Sequence, residues 1–219
     1  MNKITTVLLT GLSLLSAVPA SAQEYMFTYS KLFSQLKNNV EEGHDDVKVG
    51  IFFVNAQSKQ LCEIEKAWME KEQHYEELKV APSKELLLPL DNNLKQANPL
   101  VFVRTPQDLR CDFSTVVMAR QQFDGKVTDQ QMANLLPQMQ ALLEGLGGMF
   151  ASWFTPEVEG LTFEFPAKTE GVIEFSNGKV AELINGKAQI TLDEIGKGGY
   201  ITLPASTIRV LPYLPDARK

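Results

Sequence analysis

Few residues in this chain are equipped for chemistry. It holds only two histidines, His44 and His74, and two cysteines, Cys62 and Cys111. Histidine is the commonest general base, so the choice of base is thin. His44-Asp45-Asp46 is the one compact cluster of hard metal ligands. Neighbours in an extended chain point to opposite faces, so three in a row rarely converge on one ion, and a solvated loop explains them better. His74 lies among Glu70, Glu72, Glu76 and Glu77, which reads as an exposed acidic surface. No Gly-x-Ser-x-Gly elbow, Ser-x-x-Lys, His-Glu-x-x-His or phosphate-cradling loop occurs. Gly145-Leu146-Gly147-Gly148 follows a helical pattern and carries no lysine, so it is not a phosphate loop. Any two of the 27 acidic residues pair on paper for glycoside hydrolysis, which carries no weight without geometry. Trp68 and Tyr75 are an aromatic pair suited to a sugar-binding surface. The sequence therefore nominates no catalytic residue, no metal site and no cofactor.

The start of the chain is more informative. Lys3 and the α-amine give a short positive end, Ile4 to Val18 is apolar apart from small and hydroxyl residues, and Pro19 ends the helical tendency. Ala20-Ser21-Ala22 then supplies a small-residue cleavage pattern. The run is about 15 residues, short of the roughly 20 that a spanning helix needs. Residues 1–22 are thus expected to be a signal peptide cleaved after Ala22, which puts the mature protein in the periplasm. No cysteine follows the cleavage site, so no lipid anchor is expected there. No later stretch is apolar enough to span a bilayer, so no stable membrane insertion is expected after cleavage.

Composition narrows the partners. Hydrophobic residues make up 44% of the chain, enough for a substantial core, and the net charge is −6. An acidic chain without a basic cluster is a poor match for nucleic acid or for anionic lipid headgroups. Two cysteines in an exported chain read as one disulfide. The rival reading is a pair of redox-active or metal-binding thiols, for which C-x-x-C spacing and a histidine cluster are both missing. Closing a loop of about 50 residues contributes on the order of 4 kcal/mol by the chain-entropy argument.

Hydrophobic periodicity sets out the elements. Met26, Tyr29, Leu32, Phe33 and Leu36 fall at helical spacing, predicting a helix over 25–39. Val47 to Val54 is β-branched and aromatic and reads as a buried strand. After a turn at Asn55–Gln60, Leu61 onward is expected to return as a strand carrying Cys62. Ala67 to Lys79 is read as an exposed hairpin, although its Glu and Lys content favours helix. Glu85–Leu90, Pro99–Arg104 and Cys111–Ala119 are further strands. Residues 47–119 thus carry about six strands separated by polar turns, which suggests a small β-sandwich.

Residues 126–154 change period. Thr128 and Gln131 have capping-box spacing, and Met132, Leu135, Leu136, Met139, Leu142, Leu143 and Leu146 form one apolar stripe. Pro137 inside it predicts a kink or two short helices. From Gly160 the chain returns to β. Asn177-Gly178 and Asn185-Gly186 are hairpin-turn dipeptides joining strands near 171–175, 179–184 and 187–192. Strands at 200–203 and 208–211 complete an antiparallel meander. The class is α+β, mainly β: residues 23–125 form a helix and a disulfide-stapled, β-sandwich-like part, 126–156 a helical connector, and 157–219 a small β-domain and tail.

The run Val47-Lys48-Val49-Gly50-Ile51-Phe52-Phe53-Val54, with Cys62, Leu87-Leu88-Pro89-Leu90-Asp91, Asn98-Pro99-Leu100-Val101 and Cys111-Asp112, resembles a family of secreted gammaproteobacterial proteins known only as a domain of unknown function. The resemblance is strongest from Tyr29 to Arg120. It implies a periplasmic location, supports pairing Cys62 with Cys111, and carries over no catalytic residue. The leading functional reading is a non-catalytic module of the cell envelope that binds a protein or glycan partner. Its contact would be an exposed sheet edge or the apolar helix, with Met132, Leu135, Met139, Leu142 and Trp153 as the candidate surface. For Trp153 the competing role is core packing. The alternative function is a carboxylate-based envelope hydrolase acting on peptidoglycan or another glycan, and a membrane-surface role for 132–154 comes third.

Overall fold

The computed structural model describes residues 23–147 and 155–215. In chain order the elements are β1 (Gln23–Thr28), α1 (Tyr29–Leu36) with a 3-10 turn (Lys37–Val40), β2 (Val47–Asn55), β3 (Lys66–Lys71), β4 (His74–Glu77), β5 (Lys79–Val80), β6 (Leu86–Leu87), α2 (Asn92–Ala97), β7 (Leu100–Thr105) and β8 (Cys111–Ala119). There follow β9 (Lys126–Thr128), α3 (Asp129–Gly147), β10 (Gly160–Glu164), β11 (Val172–Phe175), β12 (Val180–Glu182), β13 (Lys187–Thr191), α4 (Leu192–Ile195), β14 (Tyr200–Thr202) and β15 (Arg209–Tyr213). The protein is mainly β, and among the described residues every strand pairing is antiparallel.

Two four-stranded sheets make the first half, in the orders β1-β7-β3-β4 and β5-β6-β2-β8. They meet through aromatic side chains of their inner faces. The Tyr25 and Phe53 rings lie 5.1 Å apart, as do those of Phe27 and Phe113. A Cys62–Cys111 disulfide ties the loop before β3 to the start of β8, with Cα atoms 6.4 Å apart. Strand β2 is apolar almost throughout because both its faces are covered. Val49, Ile51 and Phe53 face the first sheet, while Phe52, fully buried on the other side, lies under the Arg209 guanidinium of β15 at 4.6 Å from the ring centroid.

The second half has two smaller sheets, ordered β13-β10-β15 and β12-β11-β14-β9. Helix α3 lies against β2, β8 and β10, so it touches both halves. One cluster of buried side chains runs from Tyr29 to Val210.

Several sequence expectations change. The helix predicted over 25–39 begins only at Tyr29. Gln23 to Thr28 is a strand in which Tyr25 and Phe27 turn inward and Glu24, Met26 and Thr28 outward, paired residue for residue with β7. Cys62 is not in a strand. Leu61 makes one isolated bridge to Val54, the Cys62 N–H donates to the Phe53 carbonyl at 2.8 Å, and the next strand waits until Lys66. Helix α2 was not foreseen; Asp91 caps it by accepting from the Asn93 and Leu94 N–H groups. Pro137 does not divide α3, which runs as one helix from Asp129 to Gly147. The Pro137 side is exposed, so its missing N–H is lost at a wet face rather than in the core. The hairpin turns at Asn177-Gly178 and Asn185-Gly186 form with positive φ at Gly178, Asn185 and Gly186. Their strands do not pair in simple succession, because β13 leaves β12 to pair with β10.

Candidate functional site

The first sheet has one face on the core and one face open. Side chains alternate across a strand, and the register places the outward ones in rows. Glu24, Arg104 and Lys66 form one row; Met26, Phe102, Trp68 and Glu77 the next; Thr28, Leu100, Glu70 and Tyr75 the third. Trp68 and Phe102 stack with centroids 5.1 Å apart and planes 9° from parallel. The Lys66 ammonium lies 5.5 Å from the centroids of both Trp68 and Tyr75, and the Arg104 guanidinium 5.5 Å from Trp68. Glu70 accepts a hydrogen bond from Trp68 Nε1 at 3.1 Å. Those neighbours leave Trp68 only 9% exposed, so its indole does not offer a free face to a sugar ring, contrary to the expectation from its pairing with Tyr75. Met26, Tyr75 and Leu100 are the open apolar side chains, at 62%, 53% and 36%.

Strand β4 ends this sheet and has no further strand beside it among the described residues. The Leu78 N–H donates to the Ala67 carbonyl at 2.9 Å. Antiparallel pairs alternate between bonded and non-bonded, so His74 and Glu76 direct their backbone groups at β3, while Tyr75 and Glu77 direct theirs outward. An open groove of about 680 Å³ runs beside this edge, between the β3–β4 hairpin and α2. Met69, Leu94 and Ala97 give it an apolar side, and Glu72 and Glu76 line it with acid. Glu70 also borders it, but its carboxylate is turned to the outer face and bonded to Trp68. Lys71 also lines it, but its ammonium donates to the Ala97 carbonyl at 2.6 Å and is held against the end of α2.

The residues singled out by sequence fall in different places. Cys62 and Cys111 are joined and buried. Met132, Leu135, Met139 and Leu142 are also buried, between 0% and 2% exposed, so this side of α3 is core and presents no surface to a partner. Trp153 lies outside the described residues, as does the 1–22 segment. In the His44-Asp45-Asp46 loop, the Asp46 carboxylate accepts from Asn134 Nδ2 at 2.6 Å and Gln138 Nε2 at 2.9 Å, which pins the loop to α3. Among the described residues, no three His, Cys, Asp or Glu side chains are placed together to hold a metal ion.

Two buried carboxylates lie away from the groove. Glu85 is paired with Lys48 at 2.8 Å. Glu164 accepts from Arg209 Nε at 2.7 Å, also meets Arg209 Nη2, and pairs with Lys187 at 2.6 Å. The Tyr29 hydroxyl, between the Pro89 carbonyl at 2.6 Å and the Asp91 N–H at 3.0 Å, is the other buried titratable group of note. Desolvation pushes its pKa above the ordinary 10.0, partly offset by the Asp91 backbone hydrogen bond.

Sequence reasoning missed Met26, Leu100 and Phe102 as surface residues and Leu94 and Ala97 as groove walls. Alternation across Glu24-Tyr25-Met26-Phe27-Thr28 was the available signal for the first, and Asp91 before Asn92-Asn93 was a cap signal for the second.

Fold and site define an antiparallel, disulfide-stapled β protein with an open edge strand beside an acidic groove. The chain belongs to the family described as protein of unknown function (DUF2987), whose profile matches residues 21–165. That match takes in both sheets of the first half, α3 and β10, and stops before β11. No curated protein and no solved structure matches the chain.

Proposed function

We propose that the protein is an exported, non-catalytic binding module of the cell envelope, and that it holds a protein partner at the β3–β4 end of its first sheet. The observation that carries this reading is the unpaired β4 edge with a groove of about 680 Å³ beside it. Exposed strand edges are where extended polypeptide is commonly captured. Three of the open large apolar side chains, Met26, Leu100 and Tyr75, share the outer face of the same sheet. Export is supported by the Met1–Ala22 pattern and by the disulfide, since disulfides persist in oxidising compartments. Among the described residues no helix is long and apolar enough to cross a membrane. A glycan hydrolase is the weaker reading. The groove carboxylates Glu72 and Glu76 are exposed on an open surface, and the buried Glu85 and Glu164 are ion-paired elsewhere.

The test is crosslinking in intact cells from a photo-reactive residue placed at Gln73, on the β3–β4 turn, and at Asn177, on a distant hairpin. One envelope protein recovered from position 73 and not from 177 supports the reading. Equal recovery from both positions, or none from either in a chain that is processed at Gln23 and folded, overturns it.

A further inference from the structure

We infer that the segment captured at β4 is an extended, basic stretch of polypeptide that adds to the first sheet as a fifth strand. This rests on the binding-module reading above and names the chemistry of its partner. The backbone argument comes first. Tyr75 and Glu77 turn their N–H and C=O groups away from β3, so a strand laid beside β4 finds donors and acceptors at the spacing of an antiparallel or parallel ladder. Alternate side chains of the incoming strand then point to opposite faces. One set enters the groove under His74 and Glu76, against Met69, Leu94 and Ala97. The other set joins the outer face beside Tyr75 and Glu77.

Charge chooses among extended segments. Glu72 and Glu76 line the groove, and Glu77 stands on the outer face of the same strand. The one lysine of the groove lining, Lys71, keeps its charge but holds it against the Ala97 carbonyl at the end of α2, so the acids of the hairpin outnumber it. Lysine or arginine at the groove-facing positions of the incoming strand meets carboxylates, and its aliphatic stem covers Met69 and Leu94. An acidic segment meets like charge, which costs affinity and slows encounter. The same acids keep the empty edge from pairing with another copy of this acidic chain, as edge charges commonly do. A glycan fits less well, because the Trp68 faces are taken by Phe102, Lys66 and Arg104.

The experiment is a backbone-amide NMR titration of the mature, disulfide-bonded protein with three probes: a ten-residue peptide alternating lysine with valine, its glutamate counterpart, and a chito-oligosaccharide. The lysine probe is expected to shift the Tyr75 and Glu77 amides and to bind more weakly as salt rises. The glutamate probe is expected to leave them in place. The charge-reversed variant Glu72→Lys with Glu76→Lys should bind the lysine probe about tenfold more weakly. Tyr75→Pro, read at the Glu77 amide, should abolish the shift, since it removes an outward N–H that β3 does not use and leaves the hairpin ladder intact. Equal binding of both peptides overturns the inference, as does lysine-probe binding that Tyr75→Pro leaves unchanged, or a response to the oligosaccharide alone. If crosslinking from Gln73 still recovers a partner after Tyr75→Pro and the charge reversal, the strand-addition inference falls and the binding-module reading stands.

Discussion

Glu164 and Arg209 are 3% and 7% exposed and bonded to each other, with Lys187 on the second carboxylate oxygen. Their worth lies in what removing one leaves behind. Glu164→Ala strands a buried guanidinium over Phe52, and breaking such a pair costs about 3–5 kcal/mol. Glu24→Ala breaks the Arg104 pair, whose side chains are 38% and 40% exposed, and such pairs are worth about 0–1 kcal/mol. Urea denaturation of the two variants should separate them clearly; equal, small losses would show that the Glu164 site is wetter than its burial indicates. Tyr29 supplies a pH dependence. Its proton is held more tightly in the folded chain because the phenol is buried. Stability is therefore fully present below the unfolded pKa of about 10 and declines as pH rises through the higher folded value. Denaturation midpoints measured from pH 9 to 12 should fall less steeply for Tyr29→Phe than for the parent, even though the variant starts about 1–3 kcal/mol less stable from the hydrogen bonds it loses. Parallel curves would remove Tyr29 as the source.

Helix α3 tests the balance between propensity and packing. Pro137 interrupts its hydrogen bonding at an exposed position, while Met132, Leu135, Met139 and Leu142 bury the other side. Burial wins, so the helix persists through the proline. Pro137→Ala restores an N–H without disturbing the core and is expected to stabilise by about 1–2 kcal/mol, the helix gain less the added freedom of the unfolded chain. A lower melting temperature would mean that the proline shapes α3 in a way the core needs. The stripe on α3 was legible in the sequence, but its destination was not. Periodicity shows that a face is covered and does not say whether a partner or the chain's own β2, β8 and β10 covers it. Strand β1 failed for a related reason. Met26, Tyr29 and Leu32 satisfy the helical spacing, and the rival alternation from Glu24 to Thr28 is settled by β7, whose Leu100–Thr105 lies far along the chain. The β2 strand, β8 and the two Asn-Gly turns were legible because each carries its signal locally. The β3–β4 hairpin was legible only from its setting between strands, against its own Glu and Lys content, and its first strand is buried at Ala67, Trp68 and Met69 rather than exposed. The groove was half legible: its acids stand together in sequence, whereas its α2 wall depends on one capping aspartate.

At the scale of the molecule, the disulfide and the shared helix hold different parts together. Cys62 and Cys111 close a loop with a sequence separation of 49 and fasten the segment before β3 to β8. Cys62→Ala with Cys111→Ala should cost on the order of 4 kcal/mol in denaturant titration, and a loss below about 1 kcal/mol would show that the two sheets hold register without it. Helix α3 and β15 join the halves, through one buried cluster from Tyr29 to Val210. Among the described residues, no strand pairs with the β4 edge of the first sheet. Amide hydrogen exchange reads that edge most directly, in the mature protein alone and bound to the envelope protein recovered from Gln73. Tyr75 and Glu77 N–H groups point outward from β4 and are expected to exchange rapidly in the free protein. Their slow exchange in the complex, with α3 unchanged, is the predicted result. Protection that appears only elsewhere, with Tyr75 and Glu77 still exchanging freely, would contradict capture at β4.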